Sequence, residues 1–231
     1  MITHLACIMD GNRRWAKQRG YASWIGHKEG LKSIDRTIDY CLKHNIKHLT
    51  LYTFSLENLD RRSYDEQHYL FDILAPEVKQ QLIDKMRATN VRARIIGDRT
   101  LFPESMRIFS DDLERETATG TALTVYSLFC YGGRQEITAM VRAIANQVAQ
   151  GTINLEDITL DRVANELWHA GIPDPELVIR TGGAYRLSNF LPFQTAYSEL
   201  YFTDVFWPDV NEQVLDDALQ FYQSCKRNFG V

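Results

Sequence analysis

Short apolar segments alternate with longer amphipathic segments along the whole chain, and this alternation constrains the fold more than any other feature. Six apolar segments, rich in β-branched and aromatic residues, are predicted to be strands: residues 5–9, 48–54, 91–96, 123–131, 177–180 and 199–203. Helical spacing or helix-ending residues predict helices over 28–44, 64–89, 104–119, 133–150, 160–170 and 214–227. Regular alternation of this kind predicts an α/β fold with a mostly parallel six-stranded sheet flanked by helices.

Length and composition place this sheet in a single domain. The 231 residues contain no internal repeat and no Pro-, Gly- or Ser-rich linker, so one domain over residues 1–231 is expected. Hydrophobic residues at 45% and charged residues at 24% exclude a disordered chain. The net charge of −4 excludes a broad basic surface for nucleic acid, although it leaves room for a local basic pocket.

Cysteine usage and hydropathy point to the cytoplasm. The four cysteines form no C-x-x-C pair, which disfavours a zinc ribbon, a redox pair and a disulfide scaffold. The apolar run at the start of the chain has no basic region before it, so we expect no signal peptide. No run of about 18 apolar residues occurs, and no transmembrane segment is expected.

Arginines follow several of the predicted strands, where ligands of parallel α/β sheets bind. A loop arginine is most often only solvated, and a Gly-Gly pair most often only turns the chain. Agreement among four loops favours a phosphate or diphosphate site instead, because guanidinium groups bind phosphate oxygens with two hydrogen bonds. Neither a Walker A sequence nor G-x-G-x-x-G is present, which disfavours nucleoside triphosphates and dinucleotides. The arginines are Arg13 and Arg14, Arg61, Arg134, and Arg180 with Arg186.

Two carboxylates and one histidine are candidates for chemistry beside those arginines. Asp10 directly follows the first strand and could hold Mg²⁺ with phosphate oxygens, or could cap the next helix. Glu199 could be a second ligand or a charge at the start of a strand. His27 follows Gly26, and a lone histidine is more often structural than catalytic. The apolar stripe of residues 64–89 is by default core packing, with a hydrocarbon tunnel as the sharper alternative.

Five segments at these same residues resemble the signature regions of the cis-prenyltransferase (undecaprenyl diphosphate synthase) family: HLACIMDGNRRWA, GHKEG, LYTFSLENLDR, YGGRQEI and PDPELVIRTGGAYRLSNFLPFQTAYSELYFTDVFWPD. The resemblance implies a parallel sheet with a hydrophobic tunnel. It implies a homodimer and Mg²⁺-dependent condensation of isopentenyl diphosphate onto an allylic diphosphate, usually farnesyl diphosphate. Undecaprenyl diphosphate, a lipid carrier precursor for cell-wall glycans, is the implied product, and its release implies transient membrane contact.

The resemblance also assigns roles residue by residue. Asp10 matches the catalytic aspartate that engages Mg²⁺, and Glu199 matches a second carboxylate that helps to hold the metal. Asn58 matches the residue assigned to proton removal, although an amide is barely basic, so orientation of the substrate or of a relay is the better hypothesis. Substrate-binding positions are matched by Gly11, Asn12, Arg13, Arg14, Trp15, His27, Ser55, Leu56, Glu57, Leu59, Arg61, Arg180, Arg186, Leu187 and Ser188.

Departures from the family pattern concern the metal and the ends of the site. Ala184 and Tyr185 replace a pair that is commonly Glu followed by His or Gln, so a metal-ligating histidine is missing. Ser23 stands for an arginine and Cys130 for an asparagine, and the 227–230 segment departs from an Arg-x-Gly pattern. The alternatives are a product of another length, a non-catalytic partner subunit of the same fold, and a phosphate-binding regulatory module.

Overall fold

A computed structural model describes residues 2–226, with Asp60 described by its backbone alone. The 227–230 segment, one of the departures from the family pattern, lies outside these residues. Within them, six strands form one sheet in the order β3-β4-β2-β1-β5-β6, and every neighbouring pair is parallel. The strands are β1 His4–Ile8, β2 His48–Ser55, β3 Val91–Ile96, β4 Leu123–Tyr131, β5 Leu177–Arg180 and β6 Glu199–Phe202. The predicted α/β fold with a parallel six-stranded sheet is confirmed.

Both faces of the sheet are covered, which explains why its strands are almost continuously apolar. All five residues of β1 are buried. Because side chains alternate along a strand, Leu5 and Cys7 join one core cluster while Ala6 and Ile8 join another on the opposite face. The sheet is therefore the middle layer of three, and its carboxyl-end edge is left for ligands.

The helices follow the predicted pattern with two short additions. Helix α2 Ser23–Lys43 begins five residues earlier than predicted, and the helices close to prediction are α6 Glu104–Glu116, α7 Gly133–Ala149 and α9 Glu212–Ser224. The predicted 64–89 helix is helical throughout but divided, into α4 Tyr64–His68, a π-helical segment Tyr69–Leu74 and α5 Ala75–Ala88. The additions are α1 Asn12–Gln18 and α3 Leu56–Arg61, which occupy segments that we expected to be loops.

The helix predicted over 160–170 is too long, since α8 covers only Leu160–Asn165. Beyond it, the backbone N–H of His169 donates to Glu136 Oε1 at 3.0 Å instead of continuing a helical ladder. Glu136 is fully buried and also accepts from the Tyr131 hydroxyl, so this carboxylate ties the segment to β4 and α7. A tertiary contact ends the helix here, against its local periodicity.

The four inner strands bring their carboxyl ends to one edge. The register pairs Ile8 with Arg180 across β1 and β5, and pairs Ser55 with Tyr131 across β2 and β4. Register shifts between Tyr52 and Ser55 mark an irregularity at the end of β2, a common device beside functional sites. The segments that follow β1, β2 and β5 consequently face one another.

Candidate active site

Asp10 and Arg180 form the centre of this edge. Asp10 Oδ2 accepts from Arg180 Nη2 at 3.0 Å, and Asp10 Oδ1 accepts from Arg14 Nη2 at 3.0 Å. Arg180 is 4% exposed and also donates to Ser188 Oγ at 2.8 Å. Helix α1 is capped by Gly11 without a side-chain hydrogen bond, so Asp10 does not act as its cap. The carboxylate instead lies between two guanidinium groups.

Backbone geometry at two glycines makes this close arrangement possible. Gly11 has φ of +111°, and a Cβ there would lie 2.7 Å from Phe206 Cδ1. Gly182, with φ of +81°, passes so near Arg14 that a Cβ would lie 2.6 Å from its Nη2. Only glycine adopts such conformations without strain. The Thr181 hydroxyl donates to the Asp10 carbonyl at 2.6 Å and fixes the two loops together.

Exposed cations surround the central pair. Arg13 and Arg14 have side chains 59% and 51% exposed. Arg61 and Arg186 are also exposed, and all four line an open polar cleft of about 780 Å³. Ligand sites are concave and commonly of about this size. Since carboxylates neutralise only part of this positive charge, the cleft can bind a polyanion such as a diphosphate.

Helix α3 presents the residues of the second motif. Ser55 caps it by accepting from the backbone N–H of Asn58 at 3.2 Å. Glu57 accepts from Asn189 Nδ2 at 2.9 Å, which links α3 to the loop after β5. Asn58 lines the polar cleft, and within the described side chains its amide makes no hydrogen bond. The capped helix therefore holds Asn58 towards the space where a ligand would lie.

An apolar cavity of about 220 Å³ opens from the polar cleft. Its wall is formed by side chains of the sheet, of α2 and of the helical stretch from α4 to α5. Leu70, Leu74, Val78, Leu82 and Met86 come from the apolar stripe of that stretch. The stripe therefore lines a cavity as well as packing the core, as the tunnel alternative predicts.

A neck joins the cleft to the cavity, and we define it by the five described residues that line both. They are Met9, Asn12, His27, Thr53 and Arg62. Behind the neck lies Glu66, whose side chain is 6% exposed. Burial first, then the charges of Arg62 and Arg13, lower the pKa of His27, so this ring is neutral at pH 7. The hydrogen bond with His27, together with both arginine charges, lowers the pKa of Glu66 and keeps it ionised.

Magnesium fits this site through one carboxylate of the chain. Asp10 is the carboxylate at the centre, and Mg²⁺ commonly binds one or two carboxylates together with phosphate oxygens of a substrate. Glu199 begins β6 and pairs with Leu177, at the amino end of the sheet, whereas Asp10 lies beyond its carboxyl end. Residues 2–226 contain no cluster of three potential metal ligands. Within one chain, Glu199 and Asp10 are therefore not brought together.

Some sequence-predicted residues lie outside the cleft. Trp15 is buried and donates its indole N–H to Asp209 Oδ1 at 2.6 Å. Leu56, Leu59 and Leu187 pack against the two core clusters. Arg134 is exposed and does not line the described cleft, because the turn before it packs on the 189–192 loop. The expectation that four loops supply arginines to one site thus holds for three.

Other residues of the cleft and neck escaped sequence reasoning. Tyr52, Thr53, Arg62 and Asn189 line these surfaces, and Glu66 supports them from behind. Two signals were available in the sequence, the Arg61-Arg62 pair and the Ser63-x-x-Glu66 spacing at a helix start. Neither signal carries the direction of a side chain, which tertiary packing decides.

Comparison with known proteins agrees with this geometry. The chain matches, over residues 8–230, the prenyltransferase family described as undecaprenyl diphosphate synthase. It is 40% identical to a ditrans,polycis-undecaprenyl-diphosphate synthase of Vibrio vulnificus over 98% of this chain and 90% of the relative. A synthase of the same description from Xylella fastidiosa is 41% identical over 99% and 89%. Lavandulyl diphosphate synthase of Lavandula x intermedia, solved with dimethylallyl diphosphate, superposes with a TM-score of 0.94 at 31% identity over 99% and 98%.

Proposed function

Because the chain belongs to the undecaprenyl diphosphate synthase family of prenyltransferases, we propose that it condenses isopentenyl diphosphate units onto farnesyl diphosphate. The proposed product is undecaprenyl diphosphate, a lipid carrier precursor for cell-wall glycans. One observation carries this proposal, namely that a cleft lined by arginines opens directly into an apolar cavity. Such a pair of spaces suits an amphiphile whose diphosphate stays in the cleft while its hydrocarbon tail lengthens in the cavity.

The residues of the cleft have separate tasks in the proposed reaction. Arg13, Arg14 and Arg61 bind the allylic diphosphate, and Arg180, Arg186 and Ser188 bind isopentenyl diphosphate. Their preorganised charges stabilise the negative charge that develops on the departing pyrophosphate. Bound through Asp10 and phosphate oxygens, Mg²⁺ would supply further stabilisation of that charge. The apolar wall excludes water from the reactive allylic group.

Asn58 has the position of an orienting residue in this proposal. Its amide faces the cleft from a helix that Ser55 caps, and an amide is too weak a base to remove a proton. We assign to Asn58 the orientation of isopentenyl diphosphate, with a phosphate oxygen or Asp10 accepting the proton. The assignment requires Asn58 for rate rather than for folding.

The proposal also includes the oligomeric state of the enzyme and its place in the cell. A homodimer is supported by the sheet edge, where all four residues of β6 are partly exposed. Glu199 lies on that edge strand, so any contribution it makes to an Asp10 site comes from a second copy. No helix within residues 2–226 has the length and apolarity needed to cross a bilayer. We place the enzyme in the cytoplasm, with transient membrane contact when the apolar product leaves.

Incubation of the protein with farnesyl diphosphate, isopentenyl diphosphate and Mg²⁺ tests the proposal. Pyrophosphate release that requires both substrates, and chromatography of an eleven-isoprene product, are the expected results. Omitting isopentenyl diphosphate provides the control for simple hydrolysis. Absence of pyrophosphate release in the complete mixture, from protein that is folded by circular dichroism, would overturn the enzymatic assignment.

A second candidate is a prenyltransferase with a shorter product. The observation that favours it is the close superposition on a lavandulyl diphosphate synthase, whose solved complex contains the short dimethylallyl diphosphate. The same chromatography separates the two candidates. Offering dimethylallyl diphosphate as the allylic substrate, alone and with isopentenyl diphosphate, shows which primer the cavity accepts.

A further inference from the structure

Arg62 is the one formally charged residue of the five that form the neck. If an amphiphile fills both the cleft and the cavity, its head group joins its tail at the five residues of the neck. A cation at such a junction lies where the last oxygens of the head group meet the first carbons of the tail. The placement of Arg62 thus differs from that of the exposed arginines of the outer cleft.

The guanidinium of Arg62 is buried and firmly held. Its side chain is 10% exposed, and its Cζ lies 4.9 Å from the centre of the Phe54 ring, a cation–π contact. Arg62 Nη1 is 3.5 Å from Glu66 Oε1 and 3.3 Å from His27 Nε2. These contacts fix the fork at the neck, so little conformational entropy is lost when a ligand binds to it.

The local sequence explains how Glu66 reaches this position. Ser63 caps α4 by accepting from the Glu66 backbone N–H at 3.3 Å. In a capping box the glutamate side chain would turn back to the backbone N–H of Ser63. Here it points inwards, with Oε1 3.2 Å from His27 Nε2. A residue that could complete a helix cap is used instead to hold the neck.

The contacts leave part of the Arg62 charge and hydrogen-bonding capacity unused. Glu66 is shared, because Arg13 Nε lies 3.9 Å from its Oε2, and one carboxylate cannot neutralise two guanidinium groups. His27 Nε2 either donates to Glu66 or accepts from Arg62, and a single nitrogen cannot do both at once. Two cations therefore face one anion at the neck, which leaves an excess of positive charge towards the cleft.

We propose that Arg62 is a substrate-binding and specificity-determining residue that fastens the allylic diphosphate at the neck and so selects tails that carry a diphosphate head. This inference rests on the proposed function, since it names a further residue for the same substrate. Arg62 differs from the outer arginines because it acts at the entrance of the tail cavity. Fastening the head there aligns the first carbons of the tail with the opening of that cavity.

Binding without turnover tests the role of Arg62. Isothermal titration with farnesyl diphosphate, in the absence of isopentenyl diphosphate, is compared with titration by farnesol, which has the same tail and no diphosphate. Arg62→Met retains an unbranched stem over Phe54 but removes the charge. It is expected to weaken farnesyl diphosphate binding roughly 10- to 100-fold, the size of one or two charge-assisted hydrogen bonds. Farnesol binding is expected to stay within about threefold.

Two further variants separate charge from packing. Arg62→Lys keeps the positive charge without the fork, so we expect affinity for farnesyl diphosphate between those of wild type and Arg62→Met. Arg99→Met is the matched control, because Arg99 lies on the surface away from both spaces and pairs with Asp111. Thermal unfolding of each variant shows whether the fold is retained. If Arg62→Met does not fold, Arg62→Lys is used in its place: weaker binding of farnesyl diphosphate with unchanged binding of farnesol supports the inference, and equal losses for the two ligands, or no loss for either, overturn it.

The outcomes distinguish this inference from the proposed function. Equal losses for farnesyl diphosphate and farnesol would make Arg62 a packing residue, and unchanged binding of both would remove it from the site. Either result overturns the inference while wild-type pyrophosphate release leaves the proposed function standing. Wild-type binding of farnesyl diphosphate without condensation would overturn the function alone. Failure of the wild type to bind farnesyl diphosphate would overturn both.

Discussion

The two ends of the central sheet both carry buried polar residues, yet they use them differently. At the carboxyl end, Asp10 and the buried Arg180 are surrounded by exposed arginines that have few partners in the chain. At the amino end, His4 and His169 stack with ring centres 5.9 Å apart and are almost fully buried. The first end carries an excess of charge that a ligand can neutralise.

The histidine pair at the amino end is neutral and largely matched within the protein, since of its four ring nitrogens only His169 Nδ1 has no hydrogen-bond partner among the described residues. His4 Nδ1 lies 2.6 Å from the Pro173 carbonyl, which only accepts, so Nδ1 carries the proton. His4 Nε2 then accepts from the Thr50 hydroxyl at 2.8 Å, and Thr50 Oγ1 is 3.4 Å from His169 Nε2. Burial lowers the pKa of His4 to about 4 and that of His169 to about 3. Neutral polar groups that pair mostly with one another are compatible with burial in a core, whereas charged groups left without partners mark a site that can bind a ligand.

The largest expected effect is at the carboxyl end. Asp10→Asn retains the shape of the side chain and removes the charge between Arg14 and Arg180. We expect pyrophosphate release to fall by about 10³-fold or more, since a preorganised charge of the reacting centre is lost. Asp161→Asn, on an exposed face of α8, is the control and should keep wild-type activity. A fully active Asp10→Asn enzyme would remove Asp10 from the chemistry.

Lowering the pH should reduce the free energy of unfolding through the histidine pair at the amino end of the sheet. The pKa of His4 and of His169 is lower in the folded than in the unfolded state, where it is about 6.5, so their neutral forms favour folding. This contribution is fully present above pH 6.5 and is lost as the pH falls towards about 4 and 3. It is on the order of 3 kcal/mol for His4 and on the order of 5 kcal/mol for His169.

Urea unfolding at pH 7, 6 and 5 measures this loss. His169→Gln, which keeps a polar group near Thr50 without a titrating ring, should reduce the dependence of the unfolding free energy on pH. The exposed His68→Gln change should leave that dependence as in the wild type. Equal slopes for the wild type and His169→Gln would contradict the assignment of the pH dependence to this cluster.

Asn58→Ala tests the carboxyl end without altering its charge. Loss of an orienting amide should lower kcat/KM roughly 10- to 100-fold and leave the unfolding free energy within about 0.5 kcal/mol. Asn146→Ala, exposed on α7, serves as the control for amide loss. Steady-state kinetics with isopentenyl diphosphate as the varied substrate gives the comparison. Wild-type kinetics in Asn58→Ala would show that this amide plays no part in the reaction.

The smallest effect on rate is expected for a substitution in the apolar cavity, away from both ends of the sheet. Ala93 of β3 lines the cavity and is 2% exposed, so Ala93→Leu places a larger side chain in the space for the tail. We expect shorter products from chromatography, nearly unchanged addition of the first unit, and a stability cost of about 1–3 kcal/mol. Ala145→Leu on α7 is the surface control. An unaltered product length would mean that the tail does not extend to Ala93.

Much of the fold was predictable because buried strands are recognisable in the sequence as short apolar runs. All six strands were predicted, three of them with their observed bounds, since a covered parallel sheet needs nearly continuous apolar runs. Helix α1 was missed because NRRWAKQ is mostly polar and has no apolar periodicity. The 160–170 helix was predicted too long because the contact between Glu136 and His169 is made by residues distant in sequence. Local patterns predict elements, and tertiary contacts decide where they end.

For the site, chain order predicted which arginines gather after the strands, and it missed what lies behind them. Arg180 and Asp10 are adjacent because β1 and β5 pair in parallel, a consequence of the predicted topology. Arg62 and Glu66 follow a predicted strand too, yet their inward direction depends on the contact of Glu66 with His27 of α2. Side-chain direction at a helix start is a property of packing, which one sequence does not display.

The π-helical segment Tyr69–Leu74 has a consequence for how this cavity could change over evolutionary time. A π segment accommodates one additional residue in a helix without displacing the helix on either side. It lies in the wall of the cavity and belongs to a different part of the chain from the segments after β1, β2 and β5 that line the polar cleft. Insertions and deletions there can remodel the volume offered to the tail while the reacting groups stay in register. Under the proposed function, part of the wall that would limit product size therefore lies in a segment that carries none of the proposed reacting groups.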